Sequence, residues 1–339
     1  MVDRRKKEHG KLSIREIAKK TKVSPDIVSR IIKGETNIPE DVRVKVLKFI
    51  NKAHYKIGME IITRRTNTIS LMAPFFYAPF ISEIVDGIEH RVVGTNYNLS
   101  QYSTKGILEN ERYIFQRVIG TGLADAFILF NIPVDKDIQD SLRSSNIPVV
   151  SIEKYLPGLG YISTDNLKAS YEATEYLIHS GKKNIAIVIG KRYIPDIQND
   201  RIKGYMLALD ANKIDFNEDN IFVVPFHDFN SGIEIFETTI SKKKDIDAIF
   251  CMAGDVVATG ILYAAKKAGI NVPQNLAVIG YDDLELASFV TPALTTVKQP
   301  TRKMGEAAID MIINGLENKG KKYAKKIVFQ SELVKRESA

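Results

Sequence analysis

The pattern of apolar positions after residue 68 alternates between short continuous runs and longer stretches in which apolar residues recur every three or four positions. Short runs are typical of strands buried on both faces, and the longer period is typical of helices that bury one face. The predicted strands are residues 68–74, 98–104, 124–130, 147–152, 184–190, 247–254 and 275–283. The predicted helices are residues 81–93, 108–119, 168–180, 201–211, 232–241 and 256–268. This alternation predicts an α/β body with parallel sheets, and the number of strands favours two lobes.

A different pattern fills residues 13–34, where two short helical periods are separated by a break. Ser13 and Glu16 can form a capping box on the first helix, while Ser24 can cap the second, which has Pro25 at its first position. The apolar residues at helical spacing are Ile14, Ile17 and Ala18, and then Val28, Ile31 and Ile32. A third helix at about 40–52 would close a small core. The segment is predicted to be an all-α helix-turn-helix, with an ordinary surface helical hairpin as the alternative.

These patterns divide the chain into three predicted parts. Residues 1–56 form a DNA-binding headpiece, residues 57–68 a hinge or linker, and residues 69–339 the two-lobed body. Within the body, the first lobe spans about 69–163, the second about 164–293, and crossover and C-terminal segments span 294–339. Lobes of this kind place a ligand cleft at the carboxyl ends of their strands.

Charge is concentrated at one end of the chain. Residues 1–66 hold 18 of the 48 Lys and Arg residues and 8 of the 41 Asp and Glu residues, so their net charge is +10, against −3 for the remainder. Such asymmetry predicts a polyanionic partner and binding that weakens steeply with salt through counterion release.

Several classes of protein are disfavoured by the composition. No apolar run approaches the roughly 20 residues that a membrane span requires, and the basic N-terminus lacks the apolar core of a signal peptide, so we expect a cytoplasmic protein. The single cysteine, Cys251, cannot form an internal disulfide, and no Cys and His cluster has metal-ligand spacing. No nucleophile elbow or phosphate-cradling glycine loop is present. We therefore expect no enzymatic activity, no metal and no cofactor.

The stretch VSPDIVSRIIKG, followed by Ile38, Arg43, Val46, Leu47 and Tyr55, resembles the VSxxTVSRxxNG headpiece of the lactose-repressor (LacI/GalR) family of bacterial transcription regulators. It departs from that pattern at Lys22, Ile27 and Lys33, where the family has glycine, threonine and asparagine. The resemblance continues through the body in STDNLKASYEATEYLIHSGKKNIAIVIG, NDRIKGYMLAL, INVPQNLAVIGYDDLELASFVTPALTTVKQP and LVKRES. The body is also similar to periplasmic sugar-binding proteins, which share the fold without the headpiece, so fold alone does not choose between them.

The resemblance implies that the second helix of the headpiece enters the major groove of operator DNA. Pro25, Asp26 and Arg30 occupy the base-reading positions, with Arg30 suited to guanine and Asp26 to the amino group of cytosine. The remaining predicted DNA contacts are Ser13, Ser24, Ser29, Lys33, Tyr55 and Ile61. Ile61 falls where the family hinge wedges a leucine into the minor groove, although an ordinary interdomain linker is an equal alternative.

Polar residues that follow predicted strands indicate where an effector would bind. Glu153, Asp255 and Asp282 each follow a strand, and Arg201 begins a helix near the same edge. Carboxylates with an arginine suit a polyhydroxylated ligand, and Phe75 or Tyr77 could cover the apolar face of a sugar. The resemblance implies effector contacts at Arg201, Asp282 and the position of Glu153, with Gln299 beside the pocket. The alternatives are helix capping for Asp282 and Asp255 and a surface ion pair for Arg201; at Gly254 the family has an asparagine.

Together these features predict a sequence-specific repressor of carbohydrate-utilisation genes. We expect a homodimer on double-stranded, pseudo-palindromic operator DNA, with a sugar, sugar phosphate or related effector between the lobes that changes operator affinity. In one branch of the family a phosphorylated carrier protein is the coregulator. The alternative is a sugar-binding protein of a transport or sensing system without operator specificity, which the basic headpiece disfavours.

Overall fold

The computed structural model describes most of the body and part of the headpiece. The described residues are 13–32, 37–39, 41–43, 45, 46, 49, 66–120, 123–144, 147–191, 195–243, 245–317 and 325–339. Lys33, Tyr55 and Ile61, three of the predicted DNA contacts, lie outside these ranges.

The headpiece begins with two helices at an abrupt turn, α1 (Ile14–Thr21) and α2 (Pro25–Ile32). The predicted capping box on α1 is present, because Ser13 Oγ accepts from the Glu16 amide and the Glu16 carboxylate accepts from the Ser13 amide at 2.6 Å. Lys22 ends α1 in a left-handed conformation, at the position where the family has glycine. Residues 41–43, 45, 46 and 49 are helical as well. The buried apolar side chains of this unit are Ile17, Ala18, Val28, Ile31, Ile38 and Val46.

The described residues of the body form two six-stranded sheets. In the part of the body that the structure describes, every pair of adjacent strands is parallel except β10 and β12, so the prediction of parallel sheets is confirmed. The strands are β1 (Thr68–Ala73), β2 (Asn98–Ser103), β3 (Ala126–Phe130), β4 (Val149–Ile152), β5 (Gly160–Thr164), β6 (Ile185–Gly190), β7 (Ile221–Val224), β8 (Ala248–Cys251), β9 (Ala277–Asp282), β10 (Thr295–Lys298), β11 (Lys326–Phe329) and β12 (Glu332–Val334). The first sheet has the order β11-β5-β4-β3-β1-β2, and the second has the order β12-β10-β9-β8-β6-β7.

Helices cover both faces of each sheet, as the continuous apolar runs require. They are α3 (Pro79–Val92), α4 (Leu108–Gly120), α5 (Lys136–Ser144), α6 (Asn166–His179), α7 (Pro195–Ala211), α8 (Phe229–Thr238), α9 (Asp255–Lys267), α10 (Leu286–Phe289) and α11 (Thr301–Glu317), with two short 3-10 turns at Glu218–Asn220 and Ile240–Lys242. Two clusters of buried apolar side chains fill the layers on each lobe.

The chain passes between the two sheets three times. It leaves the first sheet after β5, returns through α11 to β11, and then crosses back to β12. Strands β5, β7, β10, β11 and β12 lie outside the predicted set, as do helices α5, α10 and α11. The last three strands have only three or four residues each, and β11 and β12 are only partly buried, so these strands carry little periodic signal.

Glycine allows α11 to pack closely on α3 of the first lobe. A Cβ atom added at Gly305 would lie 2.2 Å from the carbonyl oxygen of Ile84, and one at Gly87 would lie 2.2 Å from that of Arg302. Carbonyl groups within a helix cannot move without breaking its hydrogen bonds, so only glycine fits at these two positions.

We therefore expect Gly305→Ala to lower the free energy of unfolding by about 1 to 3 kcal/mol, the usual cost of overpacking. Urea unfolding followed by circular dichroism measures this change. Lys303→Ala, at an exposed position of the same helix, is the control and should stay within about 0.5 kcal/mol of wild type. Equal stability of Gly305→Ala and the control would contradict the close packing.

Candidate functional site

The first lobe contributes Glu153, which directly follows β4 at the carboxyl edge of its sheet. Its amide donates to the carbonyl of Ile162 at 2.8 Å, and its backbone has a φ of +72°, a left-handed conformation that is uncommon for residues other than glycine. Its side chain is only 4% exposed, and Oε1 has no hydrogen-bond partner among the described residues. A buried acceptor in this condition is expected to find its donor on a ligand or on water.

The second lobe contributes Arg201, which three contacts hold in place. Its Nε donates to Asn166 Oδ1 at 2.8 Å, its Nη1 donates to the Met252 carbonyl at 2.8 Å, and its Cζ lies 3.6 Å from the centre of the Tyr281 ring. The Tyr281 hydroxyl also donates to Asn166 Oδ1 at 3.1 Å. The guanidinium group is thus positioned before any ligand binds, and its remaining N–H groups can donate to one. These contacts argue against a surface ion pair as the role of Arg201.

Asp282 and Gln299 connect the second lobe to the end of the first. Asp282 is the last residue of β9, and its Oδ1 accepts from Gln299 Nε2 at 2.8 Å. Gln299 is 3% exposed, and its Oε1 accepts from the hydroxyl of Thr164 at 2.9 Å, where β5 ends. A single buried amide therefore joins the carboxyl edges of both sheets.

The electrostatics of this cluster follow from two buried carboxyl groups and one guanidinium group. Burial raises the pKa of Glu153 to about 7, opposed by the charge of Arg201 and reinforced by that of Asp282. Burial likewise raises the pKa of Asp282 to about 6, opposed by Arg201 and by the hydrogen bond from Gln299. Donors from a ligand would stabilise both ionised groups.

Asp255 lies nearby, but its carboxylate faces the interior of the second lobe. It is fully buried at the start of α9, where Oδ1 accepts from the Thr296 hydroxyl at 2.6 Å and Oδ2 accepts from the Leu284 amide at 2.8 Å. Because both oxygens hold neighbouring segments of the protein, the structure favours the structural alternative for Asp255 over effector binding.

Asp255 should make stability depend on pH. Burial raises its pKa from 3.8 to about 8, with Asp282 adding to the effect, so the folded state holds this proton more tightly than the unfolded state. The resulting stability is fully present below about pH 4 and is lost as the pH rises through about 8, with a slope of at most about 1.4 kcal/mol per pH unit.

In Asp255→Asn the amide can accept from Leu284 and donate to Thr296, so the fold should be kept while the titration is removed. We expect urea unfolding between pH 6 and pH 9 to show a smaller loss of stability in Asp255→Asn than in wild type. Parallel curves for the two proteins would contradict a titrating Asp255.

The aromatic candidates lie in the loop after β1, at the same sheet edge as Glu153. The rings of Phe75 and Tyr77 are 5.3 Å apart, and Tyr77 is 79% exposed. Phe75 is half-buried. The structure thus leaves the Tyr77 ring open to solvent, where it could cover a ligand.

Two polar residues at strand ends were missed by sequence reasoning. Asn131 follows β3 with a φ of +53°, and its buried Oδ1 lacks a hydrogen-bond partner within the described part of the chain. His227 follows β7; its Nδ1 lies 2.8 Å from the Ala253 carbonyl, and its ring covers Gly190, where a Cβ atom would lie 2.1 Å from Nε2. Burial lowers the pKa of His227. Asn131 could have been found because it directly follows a predicted strand, whereas β7 itself was not predicted.

On the headpiece, α2 buries Val28 and Ile31 and presents its other face outward. Pro25 and Asp26 are exposed, and Ser29 and Arg30 are half-buried on the outward side. The Ser24 hydroxyl accepts from the Ile27 amide at 3.2 Å, so Ser24, like Ser13, caps its helix. All of the predicted DNA contacts stay predictions, those of Lys33, Tyr55 and Ile61 included.

The described residues contain no group of three or more His, Cys, Asp or Glu side chains placed to hold a metal ion. Within the same ranges, no helix has the length and apolar character needed to cross a membrane.

Known proteins are similar to this chain over nearly its whole length. Residues 174–339 match the periplasmic binding protein-like domain family. The HTH-type transcriptional regulator RegA of Clostridium acetobutylicum is 32% identical over 337 residues, covering 96% of this chain and 98% of that protein. The ribose operon repressor of Haemophilus influenzae is 27% identical over 333 residues, with the same two coverages.

Among solved structures, the complex of the transcriptional regulator CelR with cellobiose has the same fold, with a TM-score of 0.74 and 23% identity over 97% of this chain and 100% of that one. By name, one of these full-length relatives is an HTH-type transcriptional regulator and the other is an operon repressor. This chain belongs to the LacI/GalR family of DNA-binding transcriptional regulators.

Proposed function

We propose that this regulator is a repressor of carbohydrate-utilisation genes that acts in the cytoplasm as a homodimer on double-stranded operator DNA. A small hydroxylated effector binds between the lobes and changes operator affinity. The observation that carries the proposal is the buried, unpartnered Oε1 of Glu153 beside Arg201 and Asp282, at the edge where Gln299 joins the two sheets.

The chemistry of the cluster favours a neutral sugar over a phosphorylated one. Glu153 Oε1 and Asn131 Oδ1 need donors, which hydroxyl groups supply, and the free N–H groups of Arg201 can donate to hydroxyl or ring oxygens. A phosphate group would meet the like charges of Glu153 and Asp282. The names of two relatives, a ribose operon repressor and a regulator in complex with cellobiose, agree with a carbohydrate effector.

Binding between the lobes would act on DNA through the first lobe, which follows the headpiece and linker in the chain. An effector that contacts Glu153 on one lobe and Asp282 on the other favours one arrangement of the lobes. The two headpieces of a dimer would then change their spacing, and half-sites must match that spacing. The Arg201 and Gln299 contacts described above would orient the effector, with Tyr77 and Phe75 covering it.

Support for the homodimer comes from three large aromatic side chains that are exposed on the second lobe. Phe226, Tyr263 and Phe289 are 66%, 53% and 76% exposed, and large exposed aromatic side chains are typical of protein interfaces. A phosphorylated carrier protein as coregulator stays a prediction that no contact in the structure tests.

Thermal unfolding with a panel of compounds tests the proposed ligand class. The panel is D-ribose, D-xylulose, D-glucose and cellobiose, with ribose 5-phosphate and glucose 6-phosphate. We expect a neutral sugar to raise the melting temperature, since a ligand at 100 times its Kd stabilises the folded state by about 2.7 kcal/mol. Stabilisation by the phosphates alone would contradict the proposed ligand class, and specific binding of sugars without operator binding would favour the transport or sensing alternative.

A further inference from the structure

A carboxylate outside the proposed cleft, Glu83 on α3, lies where the first lobe meets the crossover. Its Oε2 accepts a hydrogen bond from the hydroxyl of Thr301, the first residue of α11, at 2.5 Å. The side chain is half-buried, in a surface groove of about 420 Å³ that is lined by Ser82, Glu83, Asp86, Thr301 and Arg302. The function proposed above does not use Glu83.

Short contacts join Glu83 to the proposed effector site. The Thr301 amide donates to the Gln299 carbonyl at 2.9 Å, and the Gln299 side chain is bonded to Asp282. The order of contacts is therefore Asp282, Gln299, Thr301 and Glu83, which leads from the second lobe through the crossover to a helix of the first lobe.

The charges around Glu83 come from both lobes. Asp282 and Asp283 at the end of β9 carry the same sign, Lys298 at the end of β10 carries the opposite sign, and Asp86 lies one turn along α3. On α11, Arg302 pairs with Asp86 at 3.2 Å and with Glu306 at 3.6 Å. Burial, Asp283 and Asp86 raise the pKa of Glu83, and the bond from Thr301 and the charge of Lys298 lower it.

We propose that Glu83 is a positioning residue for the effector response: it ties α3 to the crossover, and its charge, facing Asp282, Asp283 and Lys298, biases the relative arrangement of the lobes. This inference rests on the proposed function. Movement of one lobe against the other changes the distances between these charges. The ionised Glu83 therefore has a different energy in each arrangement, which is the requirement for shifting such an equilibrium.

The test measures the ratio of operator Kd values with and without a saturating sugar, using the compound from the panel above that gives the largest effect on wild type. Glu83→Gln keeps an oxygen for Thr301 and removes the charge, while Lys298→Gln removes the opposite charge. We expect the ratio to change by roughly 2- to 30-fold in each variant, in opposite directions, with melting temperatures close to wild type.

Glu89→Gln is the matched control, because it removes a negative charge from an exposed position of the same helix. Its ratio should equal that of wild type. The inference is overturned if Glu83→Gln also has the wild-type ratio, or if Glu83→Gln and Lys298→Gln move it in the same direction. If wild type itself responds to no compound in the panel, the proposed function fails first, and this inference fails with it.

Discussion

Asp282→Ala is expected to bind operator DNA with near wild-type affinity and to lose its response to the effector. Asp282 accepts from Gln299 at 2.8 Å and lies near Arg201 of the same lobe, so its loss removes a charged acceptor from the ligand and releases the amide that joins the sheets. Loss of one hydrogen bond to a charged group costs roughly 1.5 to 3 kcal/mol, which is about a 10- to 150-fold weaker effector affinity.

The measurement is the operator Kd of Asp282→Ala with and without sugar, together with calorimetric binding of sugar in the absence of DNA. Asp210→Asn is the control, because it removes a carboxylate from an exposed position of α7 on the second lobe, outside the proposed site. It should keep the effector response. If Asp282→Ala lost operator binding while it kept its sugar affinity, Asp282 would be structural, as the capping alternative holds.

Arg30→Ala is expected to weaken specific operator binding by roughly 1 to 3 kcal/mol and to relax base preference at one position of each half-site. Arg30 lies on the side of α2 opposite the buried Val28 and Ile31, together with Asp26. A guanidinium group at this position can donate two hydrogen bonds to guanine, and alanine can donate none.

The measurement is the affinity of Arg30→Ala for the operator, for single-base variants of the operator and for random DNA. It distinguishes base recognition from the electrostatic attraction of the protein to any DNA. Lys19→Ala, which removes an exposed cation from α1, is the comparison and should weaken binding to all of these DNA sequences by similar factors. Equal losses of Arg30→Ala on operator and random DNA would contradict its base-reading role.

Much of the fold could be predicted because the local signals agree with the final structure. The capping residues Ser13 and Ser24 mark both headpiece helices, and the long apolar runs mark the central strands. The strands that were missed, such as β10 and β12, have three or four residues and are formed by pairing with a neighbour distant in the chain. Their position depends on the tertiary structure rather than on their own sequence.

The position of the proposed site at the strand ends could be predicted from the sequence, but most of the hydrogen bonds between its side chains could not. Strand ends place Glu153 and Asp282 at one edge, but the hydrogen bond that the Thr164 hydroxyl donates to Gln299 joins residues 135 positions apart. Nor does the position of Asp255 after β8 indicate that its oxygens face Thr296 and Leu284. The direction in which each of these side chains points depends on the packing of segments that are distant in sequence.

The first experiment to perform is retardation of DNA from the protein's own upstream region, at several salt concentrations and with or without each compound of the sugar panel. We expect sequence-specific retardation that weakens with salt and that one neutral sugar abolishes or enhances, by a factor that corresponds to about 1 to 3 kcal/mol of coupling. Salt-sensitive retardation without preference among sequences, and unchanged by every sugar, would mean that the protein is not a sugar-responsive operator-binding regulator.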